Sequence, residues 1–475
     1  MSAFSTIMHP TVFSHMYFTI FFSICQITDK QTKEGKAAFL PYLKRSGYPS
    51  AIQMKTLKEL KYFIILWLTQ SFSSFGSAMT NFALIVWLYQ KSGSALTTSL
   101  LTVCSYTPYV ITSIFAGAIS DKWNKKNIML ICDSFAALCT VVTLVLLKTD
   151  TLAVWNLYIL NALNGFMNSI QSPASDVAAT LLTPEQHYQK TSGMRSFSNS
   201  LVSVLTPVST TAIVSLAGIE TVIAIDLITF VTAFITLLFF IRIPETQQKF
   251  QNKETLLQSA KNGLVYLKYN KRILCMILFL SAINLVASVY DAIFPVMILS
   301  KKDKTALGIV SSCVGIATLT GSIIATFFPE PKSRIKVICN CLLISMSTEN
   351  FLLAFGNHII TWCIGAVCGW LFIPLMNANY DVILRSNVPK EIQGRVYSVR
   401  NTLQFFTIPV GYFLGGFLTD RIFEPFMQTT ENKLLHIVFG NGKGSGVSLL
   451  FFVIGIAGVL ICLIFRRIKY IHELE

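Results

Sequence analysis

Residues 117–126 read GAISDKWNKK. They lie between two long apolar runs, about 95–119 and 128–147, each apolar on nearly every face. The turn itself holds Gly117, Asp121, Lys122, Lys125 and Lys126. A tight cationic turn between two membrane spans is expected on the cytoplasmic side, because positive charge is retained there during insertion. That placement would orient every other span.

The composition agrees with a membrane class. The chain has 475 residues, 53% hydrophobic and only 13% charged, where soluble domains carry about 25% charged residues. The net charge of +15 is not a nucleic-acid footprint. The Lys and Arg sit in short loops between apolar runs, without a basic face or interleaved aromatics. The eleven cysteines lie within apolar runs and form no CxxC. They read as small buried hydrophobes, and no metal site is expected.

A span needs roughly 20 apolar residues. Twelve runs qualify: about 62–88, 95–119, 128–147, 153–175, 199–218, 220–242, 273–299, 307–328, 336–355, 359–384, 400–422 and 447–466. With the 120–127 loop inside, the inner loops and ends hold 25 cations and the outer loops eight. That bias places both termini in the cytoplasm. The expected domains are an N-terminal extension at 1–53, a six-helix bundle at 54–242, a cytoplasmic amphipathic linker helix at 243–272, and a second six-helix bundle at 273–475. The extension is read as lying outside the bundle, an extended or mis-assigned start.

The halves repeat weakly. Asp176-Val177 precedes Pro184 by the same offset at which Asp381-Val382 precedes Pro389, and Arg195 and Arg400 each follow eleven residues after their proline. Each segment enters a run with a central proline, Pro207 or Pro409. Repeated six-span halves build a midplane site between two rocking bundles in many transporters.

These residues resemble a known family. Gly117-x-x-x-Asp121-Lys122 followed by Lys125-Lys126 is similar to the signature between helices two and three of the major facilitator superfamily. Gln70, the SSFG stretch at 73–76, Ser92-Gly93-Ser94-Ala95, Ala224-Ile225-Asp226 with Phe230, Arg242-Ile243-Pro244 and Gly394-Arg395-Val396-Tyr397-Ser398 resemble the macrolide-efflux branch of its drug:proton antiporters. The resemblance covers about 54–470. It implies an all-α membrane protein with twelve transmembrane helices in two pseudo-symmetric six-helix bundles, the major facilitator fold, with a central cavity and export driven by the proton gradient. It also makes the loop a cytoplasmic gate, comprising Gly117, Asp121, Lys122, Lys125, Lys126, Arg195, Arg395 and Arg400, with either Arg195 or Arg400 as the partner of Asp121. There are departures. Asn164 stands where such exporters often carry an Arg in helix four, Pro207 lacks flanking glycines, and Asn124 replaces a loop glycine. These leave the proton's route open.

Acids within a bilayer are costly and are functional candidates by default. The proton-coupling candidates are Asp291, Asp226, Asp133 and Glu349. Asp133 is expected to pair with loop cations or to support helix packing. Asp226 and Glu349 are expected to serve packing and hydrogen bonding. By the resemblance span seven lines the cavity, and Asp291 lies about eight residues, roughly 12 Å, from its outer end, so Asp291 is the leading proton carrier. Spans one, four, seven and ten would line the cavity with Gln70, Ser73, Asn81, Asn161, Asn164, Asn168, Asn284, Trp370, Asn377, Asn379 and Tyr380. Polar groups dispersed among Phe, Met and Leu suit an amphiphile.

No GxxxxGK[ST] sequence occurs, and FGNGKGSG at 439–446 has the wrong spacing and reads as a turn. No nucleophile–base set or metal motif appears. The reading is therefore a non-enzymatic secondary active exporter in a bacterial cytoplasmic membrane, monomeric, without cofactor, and contacting lipid and a small molecule but no nucleic acid. The substrate is expected to be a macrolide-like drug, peptide product or siderophore. A solute importer and a non-transporting sensor or assembly protein are the alternatives.

Overall fold

The computed structural model describes residues 59–244, 264–389 and 393–474. Among them there is no strand. Span one is Lys61–Ser92, span two Ala95–Lys122, span three Lys125–Lys148 and span four Val154–Leu181. Spans five and six share one helical run, Tyr188–Ile235, broken at Gly218. Gly218 has φ 80° and ψ 169°, a conformation open to glycine and strained for other residues. A π-helical turn, Thr236–Phe240, ends span six.

In the second half, span seven is Lys271–Lys301, span eight Lys304–Phe327 and span nine Arg334–Phe355. Span ten is interrupted between Ile359–Trp370 and Ile373–Asn387, where Pro374 cannot continue the hydrogen-bond ladder. Span eleven has two parts, Gln393–Phe405 and Thr407–Leu418, and runs through a π turn into Glu424–Thr429. A short helix, Lys433–Phe439, leads to span twelve, Ser445–Arg466. Asn124, Asp303 and Ser333 cap spans three, eight and nine by accepting from backbone N–H groups, as short polar side chains do at helix starts.

Eight of these helices are long and apolar enough to cross a membrane by themselves, including Lys190–Phe240, whose 51 residues suffice for two crossings. Spans one, two and four are not among these eight; polar residues interrupt spans one and four, and those residues turn inward. Large apolar side chains such as Trp155, Leu216, Phe239 and Ile360 face outward, as lipid requires.

The two halves repeat one packing device. A side chain at Gly165 of span four would collide with the Ser105 carbonyl of span two, and one at Gly321 of span eight with the Leu371 carbonyl of span ten. Spans two and four, and likewise eight and ten, therefore approach backbone to backbone. Beyond that the halves differ. One continuous apolar core fills spans seven to twelve, while the described core of the first half is divided among small clusters.

The expected extension at 1–53 lies outside the described residues, as does most of the expected linker helix at 243–272. Residues 264–269 are helical. A separate small unit joins Glu59 to 183–194, where the Glu59 carboxylate accepts from Gln186 at 2.9 Å and meets the His187 ring at 3.0 Å.

Candidate functional site

Polar residues divide the core of the first half. Span one presents Gln70, Ser73, Ser74, Ser77 and Asn81 at turn-by-turn spacing, which puts them on one helix face. Opposite stand Asp133 of span three, Asn161, Asn164, Asn168 and Gln171 of span four, and Asp226 of span six. Together they line a cavity of about 370 Å³ inside the bundle. Buried carboxylates need donors. Gln171 donates to Asp133 Oδ1, and Gln70 Nε2 stands 3.5 Å from Oδ2. Asp133 therefore sits between two glutamines rather than with loop cations, as its position near the charged turn had suggested. Ser77 donates to Asp226 at 3.0 Å. A side chain at Gly76 would strike Asp226 and Thr229, so spans one and six touch there.

A second cavity of about 260 Å³ adjoins the first. Gln70, Ser74, Asn168 and Gln171 line both. Ser71 and Ser198 hydrogen-bond at 3.0 Å along it, and Asp176 with Arg195 form an ion pair on its wall.

The second half spends most of its polar residues on internal bonds. Buried Glu349 accepts from the Tyr290 hydroxyl and from Trp370 Nε1 at 3.0 Å. Asn379 accepts from Arg334 at 3.2 Å and donates to the Leu375 carbonyl. Tyr380 accepts from Gln404 and lies beneath the Arg400 guanidinium. Asn377 is exposed and Asn284 half-buried. The six candidates of spans one and four thus share a cavity, while the five of spans seven and ten are dispersed.

Asp291 differs from the other acids. Its sequence neighbours Tyr290 and Ala292 are buried, yet Asp291 is exposed two-thirds of the way along the helix. It makes no hydrogen bond or ion pair among the described residues. Its charge reaches Tyr106 of span two and Tyr412 of span eleven, one from each half. Asp291 therefore faces the space between the halves.

The halves are joined at one end. Asp420, just beyond span eleven, accepts from Ser94 Oγ at 2.6 Å, Ala95 N at 3.0 Å and Leu96 N at 2.9 Å, capping span two. Gly416 sits where a Cβ would be 2.6 Å from Leu96 Cα. Spans five and eight meet likewise: Gly308 lies against Thr211 and Pro207, Gly315 against Val204. One turn past Asp420, Glu424 accepts from Gly444 N at 2.7 Å and caps span twelve. Sequence reading missed Asp420, whose signal is an acid ending one span while Ser94 opens another. It also missed Gln171 and Ser77, which look like ordinary packing polar residues.

A family model for the Major Facilitator Superfamily matches residues 66–406. The chain belongs to the Major Facilitator Superfamily. Macrolide efflux protein A of Streptococcus pyogenes is 26% identical over 371 residues, covering 77% of this chain and 90% of the relative. Macrolide efflux protein A of Enterococcus faecalis is 24% identical over 326 residues, covering 67% and 99%. Multidrug efflux pump Tap of Mycolicibacterium fortuitum is 23% identical over 364 residues, covering 73% and 86%. Among solved structures, the nucleoside transporter NupG superposes with a TM-score of 0.64 at 14% identity, over 86% of this chain and all of that one. A bacterial homologue of the iron transporter ferroportin gives 0.63 at 13%, over 86% and 98%. The macrolide-efflux relationship and the major facilitator fold both stand, the helices are consistent with twelve spans, and the chain is a multi-pass membrane protein.

In this major facilitator, Lys126 of the 117–126 turn donates to the carbonyls of Leu238 and Ile241, both at 2.9 Å. It thereby donates hydrogen bonds to carbonyls at the end of span six. The side chains of Gly117, Asp121, Lys122 and Arg395 lie outside the described residues. Arg195 pairs with Asp176, and Arg400 lies 3.8 Å from Asp381.

Proposed function

We propose that this chain is a secondary active exporter of an amphiphilic small molecule of the macrolide type, working by proton antiport and alternating access. The observation that carries this reading is Asp291. An accessible carboxylate, within a span and facing the space between two bundles, is suited to exchange a proton as the bundles rock. The relatives named as macrolide and multidrug efflux proteins support the substrate class. In this reading the end latched by Asp420 is the outer one, both termini are cytoplasmic, and the space at Asp291 is loaded from inside. Each proton entering down 100 mV contributes about 2.3 kcal/mol.

The test uses proteoliposomes with an imposed pH gradient and a labelled macrolide. The wild type accumulates label, and Asp291→Asn does not, although the label still binds. Gradient-driven accumulation at the wild-type rate by Asp291→Asn would remove Asp291 from the mechanism. No gradient-dependent movement of any macrolide by the wild type would remove the exporter reading.

A further inference from the structure

Asp291 does not line the cavity inside the first bundle, and the chemistry of that cavity is one-sided. It contains two buried carboxylates, Asp133 and Asp226, and no Lys, Arg or His lines it among the described residues. Its volume of about 370 Å³ has room for on the order of ten waters. One buried polar atom there, Asn164 Oδ1, lacks a partner among the described residues, and the hydroxyl of Thr80, a residue only 6% exposed, faces Asp226.

The two acids stand at different depths. Asp226 is eight residues past the Gly218 break, about 12 Å from the latched end. Asp133 is eight residues into span three, about 12 Å from the opposite end. Span one bridges the interval. Ser77 bonds Asp226, Gln70 approaches Asp133, and Ser73 and Ser74 lie one turn between them. Beyond Asp133 the same glutamines, Gln70 and Gln171, form the wall shared with the second cavity, which reaches Asp176 and Arg195.

We propose that the first bundle holds a proton path of its own, running from Asp226 along the polar face of span one to Asp133 and out past Gln70 and Gln171, apart from the route taken by the exported molecule. Each transfer breaks one O–H bond at a donor and forms one at the next acceptor. The carboxyl of Asp226 gives up a proton, the carboxylate of Asp133 gains one, and nothing is oxidised or reduced. Among the described residues, the other titratable groups near the path are the Cys132 thiol beside Asp133 and the Asp176–Arg195 pair in the second cavity. The proposal rests on the proton-driven reading, but its first test does not.

That test is infrared difference spectroscopy of the purified, reconstituted full chain across a pH step, with the proton as the only ligand. The wild type gains pH-dependent carboxyl bands. Asp133→Asn and Asp226→Asn each delete one, while Asp291→Asn leaves both. If neither variant changes the carboxyl bands, these acids exchange no protons and the path is overturned, whatever the protein transports. The second test measures macrolide-driven proton movement and gradient-free macrolide exchange in the same vesicles. Asp133→Asn and Asp226→Asn lower proton movement at least tenfold and exchange by less than threefold. Wild-type proton movement in both variants overturns the proposal, as does equal loss of both activities in a variant whose thermal unfolding is unchanged. A wild type that moves no macrolide defeats the exporter reading, and the infrared bands still decide the path.

Discussion

Arg195 at the start of span five is ion-paired with Asp176 near the end of span four, and its repeat counterpart Arg400 faces Asp381 at 3.8 Å. Both pairs are nineteen residues apart in sequence, which is the internal repeat expressed as chemistry. Both acids are more than half exposed, so each pair adds about 0–1 kcal/mol to stability. Their value is positional, since each ties the ends of two consecutive helices that must move together. Asp176→Asn and Asp381→Asn are therefore expected to lower the unfolding temperature by less than about 3 °C. Turnover should fall severalfold, and the exchange Asp176→Arg with Arg195→Asp should recover part of it. Thermal unfolding alongside vesicle transport checks this, and a large loss of stability with normal turnover would contradict it.

Asp420 and Ser94 set the second expectation. Three donors converge on one carboxylate, and hydrogen bonds to a charged acceptor contribute about 1.5–3 kcal/mol each. The bond joins the halves, so removing it acts on the balance between states more than on folding. Asp420→Ala should shift that balance ten- to hundredfold toward a form open at this end. Spin labels on the exposed ends of spans two and eleven would report a longer distance. Glu424→Ala is the control, because Glu424 caps span twelve within the second half. Equal lengthening in both variants would mean that the effect is loosened helix ends rather than a released latch.

Much of this fold was legible from apolar runs and loop charge. Burial in lipid makes a span visible in sequence by length alone, so the twelve runs and the Asp176/Asp381 repeat could be read directly. The ends could not. Span four continues to Leu181 and carries Asp176 with it, because a helix projecting past the membrane keeps its hydrogen bonds without apolar residues. The site was legible on span one, where Gln70, Ser73 and Asn81 recur on one face. It was not legible on span ten. Trp370, Asn379 and Tyr380 have the same polar character there, but Glu349, Arg334 and Gln404 already satisfy them. Partners hundreds of residues apart, such as Asp420 and Ser94, leave no local pattern.

Glu349 carries the third prediction. Its carboxyl satisfies both Tyr290 and Trp370 in a fully buried position. Glu349→Ala strands two donors and opens a cavity beside Gly369, at a cost of about 2–4 kcal/mol. Glu349→Gln keeps an acceptor of the same shape and should cost about 1 kcal/mol. Thermal unfolding in detergent separates the two. If Glu349→Gln is as damaging as Glu349→Ala, the negative charge itself matters, and Glu349 belongs with the ion-coupling acids rather than with packing.

Lys126 gives the last prediction, and it bears on the turn at 117–126. Its ammonium bonds the Leu238 and Ile241 carbonyls where a π turn ends span six. Carbonyls at a helix end lack the partners of the helix interior, and a cation there also opposes the negative end of the helix dipole. The turn thus holds spans three and six together through a side chain whose charge was read only as an orientation signal. Lys126→Ala should release the end of span six, seen as faster amide hydrogen exchange at 236–243 by about tenfold. Lys126→Arg should remain close to wild type. Lys125→Ala lies one residue away and removes the same charge without those two bonds, so it should leave exchange at 236–243 unchanged. If Lys125→Ala and Lys126→Ala act alike, the turn contributes only its positive charge. If only Lys126→Ala loosens span six, the contact is a specific cap.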